Sequence, residues 1–548
     1  MPPLTGELHL SYGFLPKKSE SSIVTLDIGG QLFQTTRQTL DQAGSKSLLS
    51  MLSDPSTYPS GVRFVDRDPE IFSVLLSLLR TGYLPSKAKD FDLQDLVFEA
   101  QFYGLENLLV SSLSNPSQFD ALNLEKSLIL SLGGRDPPSA IATTTYGSVH
   151  VAHGSKITSF DWSLRRKSTI LTRFNAVDSI LALSPSVAAV GATDISGLQI
   201  LDLDKGFVRE TLNWDNATKS SSTVQAIGSS PEFLFTSFES GRRNSSSILV
   251  FDLQGSFRPV AEIGHSEIYG ADLDSAIPAT KLKWVSGRNL LMASGSHSGP
   301  SGVIGNIKLW DIRSANVAWE VKEQVDCFSD VTVSDDLSAI FKVGVNSGEV
   351  FFADIRKLNV DNPWICLGGG RMGIKGKKEG AGCKIESHGN QVFCSKGGDM
   401  ELWSEVLIGT KTNEDGLDER VFRRNLMGRI KDMGGSKITN LAFGGNKMVV
   451  TRKDQQSVEG FIGQPLKLHR SDGKLKRLLL HNSLLTIIDA SQYTGAEAQV
   501  LEEKAIKDSL NGAATLWETR QNQVFSPLKD SRGSPKGHAC GHFQSHNP

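Results

Sequence analysis

The sequence predicts a mixed α/β domain near its start, followed by a much longer all-β domain. Two patterns support this fold class. Between residues 23 and 85, short β-rich runs precede an apolar stretch with helical periodicity. From residue 139 to about residue 521, the chain consists of short alternating apolar runs separated by Gly, Ser, Asn and Asp turns. A chain of 548 residues has room for both parts, because single domains typically have ~100–200 residues.

The helix predicted between Asp68 and Gly82 has clear signals at both ends. Asp68 can accept hydrogen bonds from the first free N–H groups, and Pro69 lacks the donor that would be unpaired there. Glu70 favours the positive end of the helix dipole, and Gly82 can adopt the left-handed conformation that ends a helix. The apolar residues at helical spacing are Ile71, Phe72, Val74, Leu75, Leu76, Leu78 and Leu79. Nearly the whole helix is therefore expected to be buried.

The runs at residues 23–28 and 31–35 read as two strands joined by Gly29 and Gly30, a two-residue hairpin signal. Four ordered sequence blocks here are IVTLDIGGQLFQTTRQTL, VRFVDRDPEIF, LLRTGYLP and FEAQFYGL. Together they resemble the BTB/POZ domain of the potassium-channel tetramerisation (KCTD) type. The resemblance covers residues 23–114 and implies an α/β module that self-associates and binds partner proteins.

The same resemblance implies two sets of interaction residues. Charged side chains would pair between neighbouring copies in a ring of four or five, with Arg37, Asp66 and Arg67 as the leading candidates; the alternative is that they form caps and surface ion pairs. The full charged set is Asp27, Arg37, Asp66, Arg67, Asp68 and Arg80. KCTD-type proteins commonly bind a cullin, and the surface implied for this is Met51, Tyr58, Phe102 and Tyr103. The sequence alone leaves two alternatives for these residues, exposure on that surface or burial in the core.

Composition excludes several classes of function. The net charge is −2, from 58 basic and 60 acidic residues, so no overall field attracts nucleic acid or anionic lipid. No run reaches the ~20 apolar residues needed to span a membrane. Residues 1–22 lack an apolar signal core and are expected to be disordered, as is the tail at 526–548. The five cysteines are expected to be reduced, and the cytoplasm or nucleus is the expected location.

The segment at 115–138 is predicted to hold one more helix, at residues 122–132, and then an interdomain linker. The linker is the Gly133 to Pro138 stretch, whose paired glycines and prolines stop both helix and strand.

From residue 139 to 525, a repeated strand ending indicates a β-propeller. It recurs at residues 158–162, 198–202, 248–252, 307–311, 350–354, 400–404 and 514–518, with a weaker copy at 457–461. The spacing of ~40–60 residues is that of propeller blades, and the units resemble WD repeats. The pattern is degenerate, since only Trp310 and Asp311 form a true Trp-Asp pair. Seven blades are expected, with the ring closed by pairing residues 139–162 with 515–521.

No residue pattern supports catalysis, a cofactor or a metal. The glycine-rich stretch at 367–373 is not followed by the helix that a dinucleotide site requires, and a flexible loop is the simpler interpretation. Cys540 and three histidines of the tail could bind zinc, but an unstructured tail is the better interpretation. Basic clusters at 420–431, including Arg423, Arg424 and Arg429, and at 467–477 are interpreted as solvated faces rather than phosphate sites. Trp310, Trp403 and Trp517 are interpreted as blade packing rather than a ligand cage.

These observations predict a non-enzymatic, oligomeric adaptor of a cullin-RING E3 ubiquitin ligase. The BTB/POZ module would assemble copies and bind the cullin, and the propeller rim would bind a protein substrate for ubiquitination. Linked propellers raise effective concentration, so weak contacts gain avidity. The alternative is a non-degradative scaffold that regulates a channel or signalling complex. A propeller enzyme is the third hypothesis, and it would require a cluster of carboxylates or histidines at the central channel.

Overall fold

The structure is a computed structural model that divides into two compact units, residues 1–465 and 466–548. In the first unit it describes residues 23–44, 47–53, 62–114, 116, 119, 121, 128–214, 222–240, 245–267, 277–299, 302–358, 362–368, 379–406, 420–427 and 436–462. In the second unit it describes three strands, His469–Ser471, Lys474–His481 and Leu484–Asp489, which form one antiparallel sheet in that order.

Several predictions from the sequence lie outside the described residues. These are the two terminal segments at 1–22 and 526–548, the zinc alternative around Cys540, the strand ending at 514–518 with Trp517, the residues Tyr58 and Arg429, and most of the glycine-rich stretch.

The α/β domain begins with a hairpin, as predicted. β1 (Ile23–Ile28) pairs antiparallel with β2 (Gln31–Thr36), and β3 (Arg63–Val65) pairs parallel to β1 on its other side. Gly29 has a φ of 55°, and a Cβ there would lie 2.5 Å from the Arg67 carbonyl oxygen, so only glycine fits this turn. The helices are α1 (Arg37–Asp41), α2 (Leu48–Ser53), α3 (Pro69–Thr81), α4 (Leu93–Tyr103) and α5 (Glu106–Ser114), with a 3-10 helix at Ser86–Asp90.

The α3 helix forms the centre of this domain, and its predicted ends are confirmed. Asp68 accepts hydrogen bonds from the backbone N–H groups of Glu70 and Ile71, and Gly82 ends the helix with a φ of 74°. All seven apolar residues named above are buried. Phe72 packs between Phe33 and Tyr103, with ring centroids 5.0 and 4.9 Å away.

The all-β part is a propeller of seven described four-stranded blades, as predicted. One strand, β4 (Leu128–Ser131), precedes the blades in the chain. Blade 1 contains β5 (Pro138–Thr143), β6 (Val149–His153), β7 (Lys156–Phe160) and β8 (Arg166–Leu171). Blade 2 contains β9 (Ser179–Ser184), β10 (Val187–Gly191), β11 (Leu198–Asp202) and β12 (Phe207–Leu212). Blade 3 contains β13 (Ser222–Ser229), β14 (Phe233–Ser240), β15 (Ser245–Asp252) and β16 (Pro259–Glu267).

The remaining blades follow the same order. Blade 4 contains β17 (Lys281–Val285), β18 (Leu290–Gly299), β19 (Gly302–Asp311) and β20 (Asn316–Glu323). Blade 5 contains β21 (Phe328–Ser334), β22 (Ala339–Gly344), β23 (Val350–Asp354) and the short β24 (Ile365–Cys366), with a 3-10 helix at Ile355–Lys357. Blade 6 contains β25 (Ile385–His388), β26 (Gln391–Lys396), β27 (Asp399–Val406) and β28 (Val421–Leu426). Blade 7 contains β29 (Ile438–Gly444), β30 (Lys447–Arg452) and β31 (Ser457–Ile462).

The predicted strand endings within the described residues all fall on the third strands of the blades. The first strand of each blade contacts the first strand of the next, and β29 of blade 7 contacts β5 of blade 1. The inner strands therefore form a closed ring around a central channel. The weaker ending at 457–461 belongs to blade 7, so seven blades are complete before residue 466.

Ring closure differs from the prediction. β4 pairs antiparallel with β31 and supplies the outermost strand of blade 7, with Leu130 opposite Val458. The predicted helix at residues 122–132 is thus wrong over Leu128–Ser131, which is a strand because it pairs with the free edge of β31 and buries Leu130. The glycine- and proline-rich stretch after it connects β4 to β5 inside the propeller instead of separating the domains.

Candidate interaction surfaces

The side chain of Arg67 organises an exposed surface of the α/β domain. Its Nη1 lies 3.2 Å from Oε1 of Glu99 on α4, and its guanidinium carbon lies 4.0 Å from the ring centre of Phe102. Burial raises the pKa of Glu99, and the adjacent Arg67 partly opposes this rise. Phe102 is itself partly exposed, so the surface combines an aromatic ring with charge. Such composition is typical of protein-binding sites.

The other predicted charged residues have different environments. Asp68 is the cap of α3, and Arg80 donates a hydrogen bond of 2.6 Å to the carbonyl oxygen of Gln34. Asp66 is exposed. Asp27 and Arg37 are half-buried, and Oδ1 of Asp27 and Nε of Arg37 have no hydrogen-bond partner among the described residues.

Of the two aromatic residues at the end of α4, Phe102 lies at the surface and Tyr103 lies in the core. Phe102 is 37% exposed, and Met51 on α2 is 56% exposed. Tyr103 is fully buried between Phe72 and Phe102, and burial raises the pKa of its hydroxyl. Tyr103 therefore belongs to the domain core, because α4 turns this position toward α3, and it does not form part of the exposed surface that the resemblance implies.

The α/β domain is packed against the propeller. Trp162, in the turn between β7 and β8, is buried in the hydrophobic core of the α/β domain. Arg165 of the same turn forms an ion pair with Asp90, at 3.0 Å. The carbonyl oxygen of Leu113 lies so close to Gly445 that a Cβ there would be 2.1 Å away. These contacts fix the α/β domain on blades 1 and 7.

The chain then enters the propeller by inserting Phe119 into it. The Phe119 ring lies edge-on to His388, Phe393 and Phe443, with centroids 5.5 to 5.8 Å apart. Phe119 and Ala121 are buried in the core that blades 6 and 7 share. The connection between the domains is thus part of a packed core.

The central channel contains an ionic network that sequence reasoning missed. Lys281 of β17 lies 3.1 Å from Asp330 of β21 and 3.0 Å from Glu386 of β25. Lys283 also contacts Glu386 and donates to Thr332 at 2.9 Å. Residues two apart on these strands share a face, so the polar residues face the channel while Leu282, Val331 and Ile385 are buried. This alternation was visible in the sequence, but only the ring places three separate strands side by side.

The network keeps its groups charged. Burial alone would lower the pKa of Lys281, but Asp330 and Glu386 raise it above the usual value. Burial alone would likewise raise the pKa of Glu386, but Lys281 and Lys283 lower it to about 2. A cavity of about 290 Å³ adjoins this network.

Two described arginines of the basic cluster at 420–431 form ion pairs within blade 6 and with blade 5. Arg420 contacts Glu405 and Asp354, and Arg424 contacts the buried Glu401. These arginines are therefore paired within the propeller. In the second cluster, the described residues lie on two strands of the second unit.

The two carboxylates of the channel network, Asp330 and Glu386, are both paired with lysines. No group of three potential metal ligands occurs within the described ranges. Trp310 and Trp403 are buried within the blades, and Cys327, Cys366, Cys383 and Cys394 are free thiols. None of the described helices is long and apolar enough to cross a membrane.

Comparison with known proteins matches both parts of the chain. Residues 24–113 match the BTB/POZ domain, and residues 134–459 match the At2g24240-like C-terminal beta propeller. The BTB/POZ domain-containing protein At5g41330 of Arabidopsis thaliana is 62% identical over 445 residues, which cover 80% of this chain and 96% of that protein. The Arabidopsis thaliana protein At4g30940 is 31% identical over 306 residues, 54% of this chain and 66% of that protein. A Danio rerio protein named BTB/POZ domain-containing adapter for CUL3-mediated RhoA degradation protein 1 is 38% identical over 98 residues, 17% of this chain and 29% of that protein.

Proposed function

Because this chain belongs to the BTB/POZ proteins with an At2g24240-like C-terminal β-propeller, we propose that it is an oligomeric substrate adaptor of a cullin-RING ubiquitin ligase. The BTB/POZ domain binds the cullin and further copies of the chain, and the propeller binds the protein to be ubiquitinated. The chemistry takes place on the recruited ligase. The Danio rerio relative, whose name describes a CUL3-linked adapter, supports the cullin part through its likeness to the BTB/POZ domain.

The observation that carries this proposal is the packing of an interaction domain on a closed propeller. Phe102, Met51 and Phe98 remain exposed on the BTB/POZ domain although it is packed on the propeller. Exposed aromatic and methionine side chains are enriched at protein interfaces. One molecule thus offers two separate binding regions, which an adaptor requires.

Capture of the tagged full-length chain from cells, with quantification of bound CUL3, tests the cullin part. We expect F102D and M51D each to reduce bound CUL3 about tenfold or more, since removing an interface anchor typically costs ≥2 kcal/mol. The matched control is L171D, which changes a more exposed apolar side chain on blade 1, at the end of β8 away from the turn that contacts the BTB/POZ domain. Unchanged melting temperatures would show that the variants are folded.

Two results would contradict the proposal in different ways. If wild-type protein captures no CUL3, the ligase role fails, and a non-degradative scaffold that regulates a channel or signalling complex remains. If light scattering of the purified chain gives a monomeric mass at high concentration, the assembly part fails. A mass of four or five copies would support it, with the unpaired polar atoms of Asp27 and Arg37 as candidates for contacts between copies.

A further inference from the structure

The two ends of the propeller have different surroundings. We call the end where the inner strands begin the entry end, and the end where they finish the exit end. Hydrogen bonds between neighbouring blades join the same ends of their inner strands. His388 hydrogen-bonds to the carbonyl oxygen of Gly445, and Ser334 donates to the carbonyl oxygen of Gly389. All four residues lie at or just after the finish of an inner strand. The inner strands therefore run in the same direction around the channel.

The exit end is occupied by the chain's own BTB/POZ domain. Gly445 follows β29 and meets Leu113, and Gly389 follows β25 and meets Pro116. Trp162 lies in the turn between the third and fourth strands of blade 1, which is also at the exit end because strand direction alternates within a blade. The BTB/POZ domain therefore covers part of the exit end.

The cavity of about 290 Å³ lies at the entry end. Its lining includes residues near the start of four inner strands. Thr280 and Lys281 lie just before and at the start of β17, and Lys384 lies just before β25. Asp330 and Asn440 are the third residues of β21 and β29. Serine hydroxyls from Ser294, Ser296 and Ser329 complete a polar wall. Binding pockets for small molecules typically have ~300–1,000 Å³, so this cavity lies at the lower end of that range and has room for a side chain of a partner protein.

The lysines that line or adjoin the cavity outnumber the carboxylates there by one. Asp330 and Glu386 supply two carboxylates, and both contact Lys281, while Lys283 also contacts Glu386. Lys384 lines the cavity together with Lys281, whereas Lys283 lies outside the lining. Among the described residues the side chain of Lys384 has no ion-pair partner. A surplus positive charge in a partly enclosed site attracts an anion.

We propose that this cavity binds a carboxylate side chain from an acidic segment of the protein that the propeller recruits, with Lys384 as the residue that pairs with it. The inference rests on the proposed role of the propeller in substrate binding and names the chemistry of that substrate. The hydroxyls of Ser294 and Ser296 would donate hydrogen bonds to the carboxylate, while the Lys281 network holds the surrounding strands in place.

Selection of a phage-displayed random peptide library against the immobilised full-length protein tests the inference. We expect the selected peptides to be enriched in Asp and Glu. Their synthetic forms should bind K384Q about tenfold or more weakly than wild type, because a partly buried charge pair is lost. Replacing the acidic residues of a selected peptide by Asn or Gln should cause a similar loss.

The control variant is K205Q, which removes an exposed lysine from the turn between β11 and β12 at the exit end of blade 2. It should bind the peptides as wild type does. Selection of no peptide, selection without acidic enrichment, or equal binding to K384Q and wild type would each overturn the inference. The outcome is independent of CUL3 capture, so failure of the ligase role and failure of this site can be told apart.

Discussion

At the scale of single residues, the propeller is held together by ion pairs that cross from blade to blade. The pair of Lys342 and Glu323 joins β22 of blade 5 to the last residue of β20 in blade 4, with Nζ and Oε2 2.6 Å apart. Both side chains are less than 10% exposed. The indole N–H of Trp364 donates to the other carboxylate oxygen of Glu323 at 2.5 Å. Each charge is thus compensated only by its buried neighbours.

We predict that E323A lowers the free energy of unfolding by about 3–5 kcal/mol, because Lys342 is left as an unpaired buried charge. The double variant E323L/K342M should recover most of this loss, since it removes both charges and keeps apolar volume. Chemical denaturation of the three proteins measures the difference. As a control, K308M breaks the partly exposed pair with Glu320 and should cost less than about 1 kcal/mol. A double variant as unstable as E323A would contradict this account.

At the scale of elements, β4 is a short strand with one buried residue between exposed neighbours, and it completes blade 7. Leu130 is 5% exposed and packs with the core of blades 7 and 1, whereas the adjacent Ile129 is 71% exposed. Both residues pair with β31. The strand therefore provides a matched pair of positions, alike in chemistry and opposite in burial.

We expect L130A to lower the free energy of unfolding by about 2–5 kcal/mol, the range for a leucine truncated in a packed core. I129A should change it by less than about 0.5 kcal/mol, as is usual for surface positions. Denaturant titration of both variants is the measurement. Equal effects of the two substitutions would mean that β4 is not packed as described.

Local sequence patterns were sufficient for elements whose partners are near in sequence. The ends of α3 follow from Asp68 and Gly82, and the seven third strands follow from their repeated endings. The likeness of these units to WD repeats remains a prediction. The closing strand could not be predicted in this way, because the segment with Leu128 and Leu130 has both helical and extended character, and its partner strand is more than 300 residues away.

The candidate sites likewise differ in how far the sequence could predict them. Exposure of Phe102 and Met51 agrees with the sequence-based surface, but burial of Tyr103 depended on how α4 packs on α3. The Lys281 network needs three strands that are separated by about 50 residues each, and nothing in a linear sequence brings them together. Charged residues at alternate positions of an inner strand are the signal to look for in related propellers.

At the scale of the whole molecule, the BTB/POZ domain and the propeller are joined by packing as well as by the chain. The propeller's closing strand follows the BTB/POZ domain directly, and the turns of blades 1, 6 and 7 contact that domain and the residues after it. If copies assemble through the BTB/POZ domain, each propeller is therefore held at a defined orientation. At one glycine of this interface, an added methyl group would collide with the BTB/POZ domain and would also strain the local backbone. A second glycine, outside the interface, shows the effect of backbone strain alone.

The interface glycine is Gly445, and the second glycine is Gly397. Both glycines lie in turns between strands of blades 7 and 6, with φ values of 57° and 65°. An added Cβ costs each of them about 1–2 kcal/mol of backbone strain. At Gly397 the methyl group meets nothing within 4 Å, whereas at Gly445 it would lie 2.1 Å from the carbonyl oxygen of Leu113. Only G445A must therefore displace the end of α5.

We predict that G397A lowers stability modestly and leaves the domain interface intact, whereas G445A loosens the interface as well. Hydrogen exchange of the full-length variants, followed by mass spectrometry, should show faster exchange in G445A for peptides around Asp90 and Trp162. G397A should match wild type at both places, because its strain is relieved within blade 6. If the interface peptides exchange at the same rate in both variants, the BTB/POZ domain does not pack against Gly445. The conclusion that each propeller is held at a defined orientation would then be wrong.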